Sequence, residues 1–342
     1  MSPPAPSCDA RAQERLDFAR TATANPALEL ARASTDAGFR SYWRTVGEPV
    51  PRIVMDSPPE LEDVRPWLRM RALLEAGGVR VPRVLHDGHA DGFLLLEDLG
   101  SDTYLQRLDD GNADALFDAA IDQLLRLQAI AAPGDLPRYD EALLARELRL
   151  FDEWFCSRHL GLALECGALE TLDAAHRVLI DAALAQPQVL VHRDFMPRNL
   201  MPASDGPAVL DFQDAVLGPI AYDPTCLFKD AFVSWPAARV QDWLCRYHAR
   251  AARAGLPVPA LARFLRDCDL IGIHRHLKVI GIFARLQHRD GKPKYLADVP
   301  RFFAYLDEAL PRHPQLAPLA DLIGSRIKPA MAQAAHARDA GA

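Results

Sequence analysis

A chain of 342 residues exceeds what one hydrophobic core ordinarily supports, so two lobes are expected. Its 49% hydrophobic and 25% charged content is that of a globular protein and argues against wholesale disorder. The net charge of −7 supplies no global positive field, so neither nucleic acid nor an anionic membrane is an expected partner.

Met1–Pro6 has no cationic stretch leading into an apolar run, so no secretory signal is expected. Residues 11–24 read as a short helix. Strands follow: Leu28 to Ala31 alternates, Phe39 to Val46 is aromatic and β-branched, and Arg52 to Met55 is a short apolar run after a turn. Asp63 to Ala76 reads as a helix, with Pro66 tolerated in its first turn and Gly77-Gly78 stopping it. Val81–His86 and Phe93–Glu97 complete a five-stranded set. The remainder is mainly helical, over about 113–131, 140–156, 168–185, 236–254, 260–289 and 297–309, interrupted by strands at Gln188–His192 and Val209–Phe212. The predicted class is α+β: a small lobe over 1–98 with a five-stranded antiparallel sheet and one helix, and a large mainly helical lobe over 99–342. Six cysteines, none in a Cys-x-x-Cys pair, read as buried thiols of a reducing compartment. With no run of about 18 apolar residues to span a bilayer, the cytoplasm is the expected location.

The chemistry concentrates in Val189–Leu200. His192-Arg193-Asp194 followed by Asn199 is the H-R-D-x-x-x-x-N spacing of a phosphoryl-transfer loop, and Asp211-Phe212-Gln213 follows twelve residues after Asn199. Phosphoryl transfer asks a protein for aligned oxygens and neutralised charge more than for covalent chemistry. Asp194 suits the acceptance of a substrate hydroxyl proton, and Asn199 and Asp211 offer hard oxygen ligands for Mg2+ on the phosphates of ATP.

These residues, with Gly218–Pro224 and no A-P-E after them, resemble the aminoglycoside phosphotransferase and choline kinase superfamily more than the protein kinases. The resemblance covers roughly residues 25–310 and implies a bilobal, protein-kinase-like fold with ATP and Mg2+ as cofactors. It implies that Asp223 braces the catalytic loop together with His192 and Arg193. It also makes Leu94–Gly100 the hinge, where backbone groups around Glu97 and Leu99 meet the adenine. Ser34, Thr35 and Gly38 would cover the phosphates, though the turn 34–38 is not a glycine-rich loop. Met55–Pro59, His192–Met201, Asp211–Ala215 and Leu277–Leu286 running into Arg289–Lys292 further resemble a bacterial branch of the superfamily, the anomeric sugar kinases of cell-wall recycling. That implies phosphorylation of the C1 hydroxyl of N-acetylmuramate and N-acetylglucosamine.

The chain also departs from the pattern. Met55 stands where the phosphate-binding lysine is expected and Trp67 near the place of its glutamate, a paired loss that strands no buried charge. Arg40, Arg44 and Arg52 are then candidates for the phosphates or simply exposed strand residues. Residues 271–300 carry six cationic against two acidic side chains, and at about 100° per residue Arg275, Lys278, Arg285 and Arg289 fall within about 80° of one helix face. Arg275, His276 and Lys278 are therefore candidates to read an acidic sugar, with a solvated face as the alternative. Asp230 is a candidate for sugar hydroxyls, and Phe228, Trp154 and Trp235 suit either a platform under the ring or the core. A small amino sugar is the expected partner, with no obligate protein partner implied. Another aminoglycoside- or choline-type kinase, or a nucleotide-binding pseudokinase, remains an alternative.

Overall fold

The computed structural model describes residues 8–34 and 39–339. Thr35 and Gly38 lie outside the described residues. The chain divides into two compact units, Met1–Leu127 with Arg198–Asp214, and Gln128–Pro197 with Ala215–Ala342. This division follows contacts, whereas the division expected at 98/99 follows secondary-structure content.

In the first unit β1 (Glu29–Ser34), β2 (Ser41–Val46), β3 (Arg52–Asp56), β4 (Val84–Gly88) and β5 (Phe93–Glu97) form one sheet in the order β1-β2-β3-β5-β4. Every neighbouring pair is antiparallel, as the alternating runs predict. One face is covered by α1 (Cys8–Thr23), where Phe18 and Ala19 pack with Leu28, Val54, Phe93 and Leu95. Arg11 and Arg15 fix the helix from their side, both donating to Asp56 while lying over the Phe93 and Trp43 rings. On α2 (Arg65–Ala76) the buried stripe is Trp67, Met70 and Leu74, spaced for one helical face. Gly92, at φ 76°, is a forced glycine: a Cβ there would lie 2.1 Å from the Ser57 carbonyl oxygen.

Further along come α3 (Tyr104–Arg107), α4 (Ala113–Ala129) and a hairpin of β7 (Leu200–Met201) and β8 (Ala208–Val209). The hairpin corrects the sequence reading in two ways. Asp211 and Phe212 lie beyond the strand rather than in it, and Leu200–Met201 is a strand too short to show a period. The partner of β6 (Gln188–Val191) is β9 (Val216–Pro219), in the second unit.

The second unit is built around α9 (Leu261–Asp290), thirty residues long and buried over most of its middle. Against it pack α5 (Glu141–Leu150), a π-helical continuation over Phe151–His159, α6 (Cys166–Leu184), α7 (Tyr222–Phe228), α8 (Ala237–Arg253) and α10 (Val299–Ala309). The closest crossing is at Gly281, where a Cβ would sit 2.3 Å from the backbone carbon of Leu150. The helix expected over 140–156 therefore changes character at Phe151, where α9 crosses it.

Candidate active site

In the first unit a cavity of about 330 Å³ gathers much of what the sequence nominated for nucleotide and metal. Ser34, Glu97, Leu99, Asn199 and Asp211 all line it. Its apolar walls include Ile53, Leu96, Met201 and Leu210, which suit a flat, weakly polar ring. The Glu97 carboxylate is committed elsewhere. It accepts from Arg80 Nη2 at 2.8 Å and Arg83 Nε at 3.0 Å, and these hold it below its usual range although burial pushes the other way. The chain beyond it is pinned by Asp98, which accepts from the Gly100 amide at 2.8 Å and from both Nε and Nη2 of Arg44. That fork, which sequence reasoning missed, fixes the hinge's backbone.

Asn199 and Asp211 come together because they flank the β7–β8 hairpin. Leu200 pairs with Val209, and one step outward the Leu210 amide donates to the Asn199 carbonyl at 2.9 Å. Asp211 has φ 60°, and Gln213 Nε2 donates to its Oδ1 at 2.8 Å. Among the described residues no group of three or more His, Cys, Asp or Glu side chains could hold a metal. Two oxygen donors beside a phosphate suit Mg2+, which keeps water and phosphate in its shell rather than demanding an all-protein cage. Met55 is fully buried, and Trp67 lies against Phe212 with ring centroids 5.2 Å apart, so both places of the missing lysine–glutamate pair are apolar.

The second unit holds the candidate catalytic loop up to Pro197. Asp223 lies inside the first turn of α7, not at its cap, and reaches out to accept from the amides of His192 at 2.7 Å and Arg193 at 3.0 Å. Burial pushes its carboxyl up to about 7 against those two bonds. The buried His192 ring accepts from the Asp194 amide through Nδ1 at 3.2 Å. With φ 75°, Arg193 sends its guanidinium inward to Glu147, at 2.6 Å. Asp194 itself remains partly exposed.

Glu147 is the residue the sequence reading missed. It accepts from Arg193 and Tyr139 and pairs with Lys278 at 2.9 Å. Burial alone would raise it, yet Lys278, His274 and Arg193 outweigh that and bring it to about 2. Its signal was a carboxylate between Leu144 and Leu148 on the apolar face of α5.

The expected basic stripe is corrected by burial. Arg275 is 2% and Lys278 7% exposed. Lys278 also donates to the Tyr222 hydroxyl at 3.1 Å, and Arg275 donates to the Lys229 carbonyl at 3.2 Å. His276 is buried against Tyr305, rings 4.9 Å apart, and burial holds it neutral, well below the usual imidazole range. None of the three stands on a solvated face. Asp230 lies two residues past α7 rather than on it; its Oδ1 accepts from the Phe232 and Val233 amides, and its buried Oδ2 has no partner. Phe228 is core, stacked on Trp243.

A fold with a cavity of this make-up and a braced candidate catalytic loop fits a phosphotransferase, and residues 29–264 match the model of the phosphotransferase enzyme family. The chain belongs to that family. It is 54% identical over 301 residues to an N-acetylmuramate/N-acetylglucosamine kinase of Pseudomonas aeruginosa, covering 88% of this chain and 89% of that one. A kinase of the same name from Neisseria meningitidis is 43% identical over 302 residues, covering 86% and 90%. Among solved structures, an ADP-bound aminoglycoside phosphotransferase matches with a TM-score of 0.59 at 16% identity, over 85% of this chain and 97% of that one. A choline kinase from Cryptosporidium parvum matches with a TM-score of 0.60 at 11% identity, over 90% and 98%. The two structures share the fold, and the α+β, protein-kinase-like class expected from the sequence is the one found.

Proposed function

We propose that the chain is an ATP-dependent sugar kinase that phosphorylates the C1 hydroxyl of N-acetylmuramate and N-acetylglucosamine in peptidoglycan recycling. The observation that carries this reading is the 54% identity, along 88% of the chain, to an enzyme named for those two sugars. Asp194 accepts the proton of the sugar hydroxyl as its oxygen attacks the γ-phosphorus; the bond to the β-phosphate oxygen breaks, and ADP leaves. Asp223 and His192 hold the loop that presents Asp194. Asn199 and Asp211 would hold Mg2+, whose positive charge offsets that of the phosphates when bound. The cavity walled by Ile53, Leu96 and Leu99 takes the adenine, Ser34 among its lining, and Thr35 and Gly38, outside the described residues, are assigned with Ser34 to the phosphates. Asp230 Oδ2 is assigned to a sugar hydroxyl, because a buried unpaired carboxylate oxygen needs a donor.

In this reading 1–98 serves the nucleotide and 99–342 supplies the catalytic loop and sugar site. Arg275, His276 and Lys278 are assigned to the sugar site as buried residues of α9. No helix among the described residues is long and apolar enough to cross a membrane. Cys156, Cys166, Cys226, Cys245 and Cys268 are free thiols, in keeping with a reducing compartment such as the cytoplasm. The test is incubation with ATP, Mg2+ and a panel of amino sugars, read by mass spectrometry. A gain of one phosphoryl group on N-acetylmuramate and N-acetylglucosamine is expected. A gain on aminoglycosides or choline alone would reject the proposal.

A further inference from the structure

We propose that the ion pair of Arg40 with Glu62 holds the phosphates of the nucleotide, in place of the lysine–glutamate pair this chain lacks. The inference rests on the reading of the cavity as an ATP site. Register places Arg40 first. In the β2–β3 pairing Tyr42 stands opposite Met55 and Arg44 opposite Ile53, and Tyr42, Arg44 and Ile53 all line the cavity. Arg40 lies just before β2 (Ser41–Val46), two residues from Tyr42, at the end of the strand where Met55 stands in place of a cation.

The other two arginines of the sheet are excluded by what they already do. Arg44 is forked onto Asp98 and donates to the Gly100 carbonyl at 2.8 Å, which commits it to the hinge. Arg52 stands one residue before Ile53, on the opposite face, and its partner is Glu48 at 3.8 Å. Arg40 differs. Its Nε lies 2.9 Å from Glu62 Oε1, with the side chain 14% exposed. Glu62 is itself positioned: its carbonyl accepts from the Ser57 hydroxyl at 3.0 Å, and its amide donates to the Pro58 carbonyl at 3.0 Å. Among the described residues the ion-pair partner of Arg40 is Glu62, held through Nε, and a guanidinium engaged through Nε can present its terminal N–H groups as a fork to phosphate oxygens.

Charge points the same way. Tyr42, Glu62 and Asp211 all act on Arg40 and hold it above its usual range despite burial. Arg40 thus shares its surroundings with the residue proposed to hold Mg2+, which is where the phosphates of a bound nucleotide need positive charge. Moving the cation from β3 to the residue before β2, and its acid from the helix to the loop before it, keeps the pair while α2 packs Trp67 against Phe212.

The test is calorimetric binding of ATP, ADP and adenosine to the full chain and to Arg40→Ala, Arg40→Lys and Arg52→Ala. Arg40→Ala should weaken ATP and ADP by about 10- to 100-fold and leave adenosine within twofold, since only the first two carry the phosphates. Arg40→Lys should recover part of the loss, keeping the charge without the fork, and Arg52→Ala should bind all three as the parent does. Unchanged ATP affinity in Arg40→Ala, or equal losses of ATP and adenosine in both Arg40 variants, would overturn the clamp. A parent chain that binds no ATP would instead overturn the nucleotide reading on which the clamp depends.

Discussion

Arg193 and Asp211 are two of the three non-glycine residues with left-handed backbone among the described residues. Such a conformation costs about 1–3 kcal/mol at each position and persists where the surroundings over-determine it. Here the bracing is visible, as Asp223 accepts from the successive amides of His192 and Arg193 and Glu147 takes the Arg193 guanidinium. The strain turns the chain so that Arg193 points inward while Asp194 stays partly exposed. Asp194→Asn should then lower kcat by about 10²–10⁴-fold with ATP affinity retained, measured by steady-state kinetics beside calorimetry; near-parental turnover would remove Asp194 from the reaction. Asp211→Ala should abolish the Mg2+ dependence of nucleotide binding, and a titration unchanged by the substitution would assign the ion to other oxygens.

These positions were legible because phosphoryl transfer fixes residue type and spacing together. Glu147 was not, because its partners come from separate stretches of sequence and no local pattern joins them. Its contribution to stability is open to test. The folded carboxyl sits at about 2 against 4.5 for an ordinary glutamate, so its stabilisation is present above about 4.5 and is lost as pH falls toward 2. Linkage puts that loss at about 3 kcal/mol. Urea unfolding of the parent and Glu147→Gln from pH 7 to pH 3 should show the gap between them narrowing with acid. The comparison isolates Glu147 from Asp152 and Asp223, whose raised carboxyls act in the opposite sense. A gap independent of pH would deny the ionised pair its role.

At the scale of the element, the sheet was readable because its strands are short alternating, aromatic or apolar runs of five or six residues between turns, and α2 because its stripe and its glycine stop agree. The hairpin of β7 and β8 was not, since two residues show no period. The same limit made Val209–Phe212 look like the partner of β6. On α9 the error was of another kind. A run of cations spaced along one helix reads as a solvated face, because charged residues are seldom buried. This helix is packed along most of its length, and Arg275 and Lys278 are tolerated because Glu147, Tyr222 and the Lys229 carbonyl receive them. The crossing at Gly281 sets how close α9 can come, with the Leu150 carbon and oxygen and the Phe151 nitrogen all within 2.6 Å of a Cβ placed there. Backbone atoms cannot swing aside. Gly281→Ala should therefore destabilise by about 3 kcal/mol or more, seen as a lowered midpoint in urea, and a parental midpoint would mean that the two helices separate freely.

At the scale of the whole molecule, class and family were readable from one loop and its spacing, since few other reactions ask for an aspartate, an asparagine and a second aspartate in that order. How residues divide between two compact units was not, because the segment 198–214 groups with the sheet although residues 130–197 separate it from α4 in the chain. Substrate identity was the least readable. Arg275 and Lys278 of the basic stripe are buried rather than on a solvated face, and their burial does not name the sugar, so the case for an amino sugar rests on the relatives and on the loop's chemistry. A hemiacetal hydroxyl is more acidic than a primary alcohol, which leaves a carboxylate such as Asp194 less to do at C1.

The decisive measurement compares free N-acetylglucosamine with its methyl glycoside, each incubated with ATP, Mg2+ and the protein and followed by mass and by reducing-end assay. The free sugar should gain one phosphoryl group and lose its reducing end, while the glycoside, whose C1 hydroxyl is blocked, should stay unmodified. A phosphorylated glycoside, or a product that keeps its reducing end, would contradict transfer to C1.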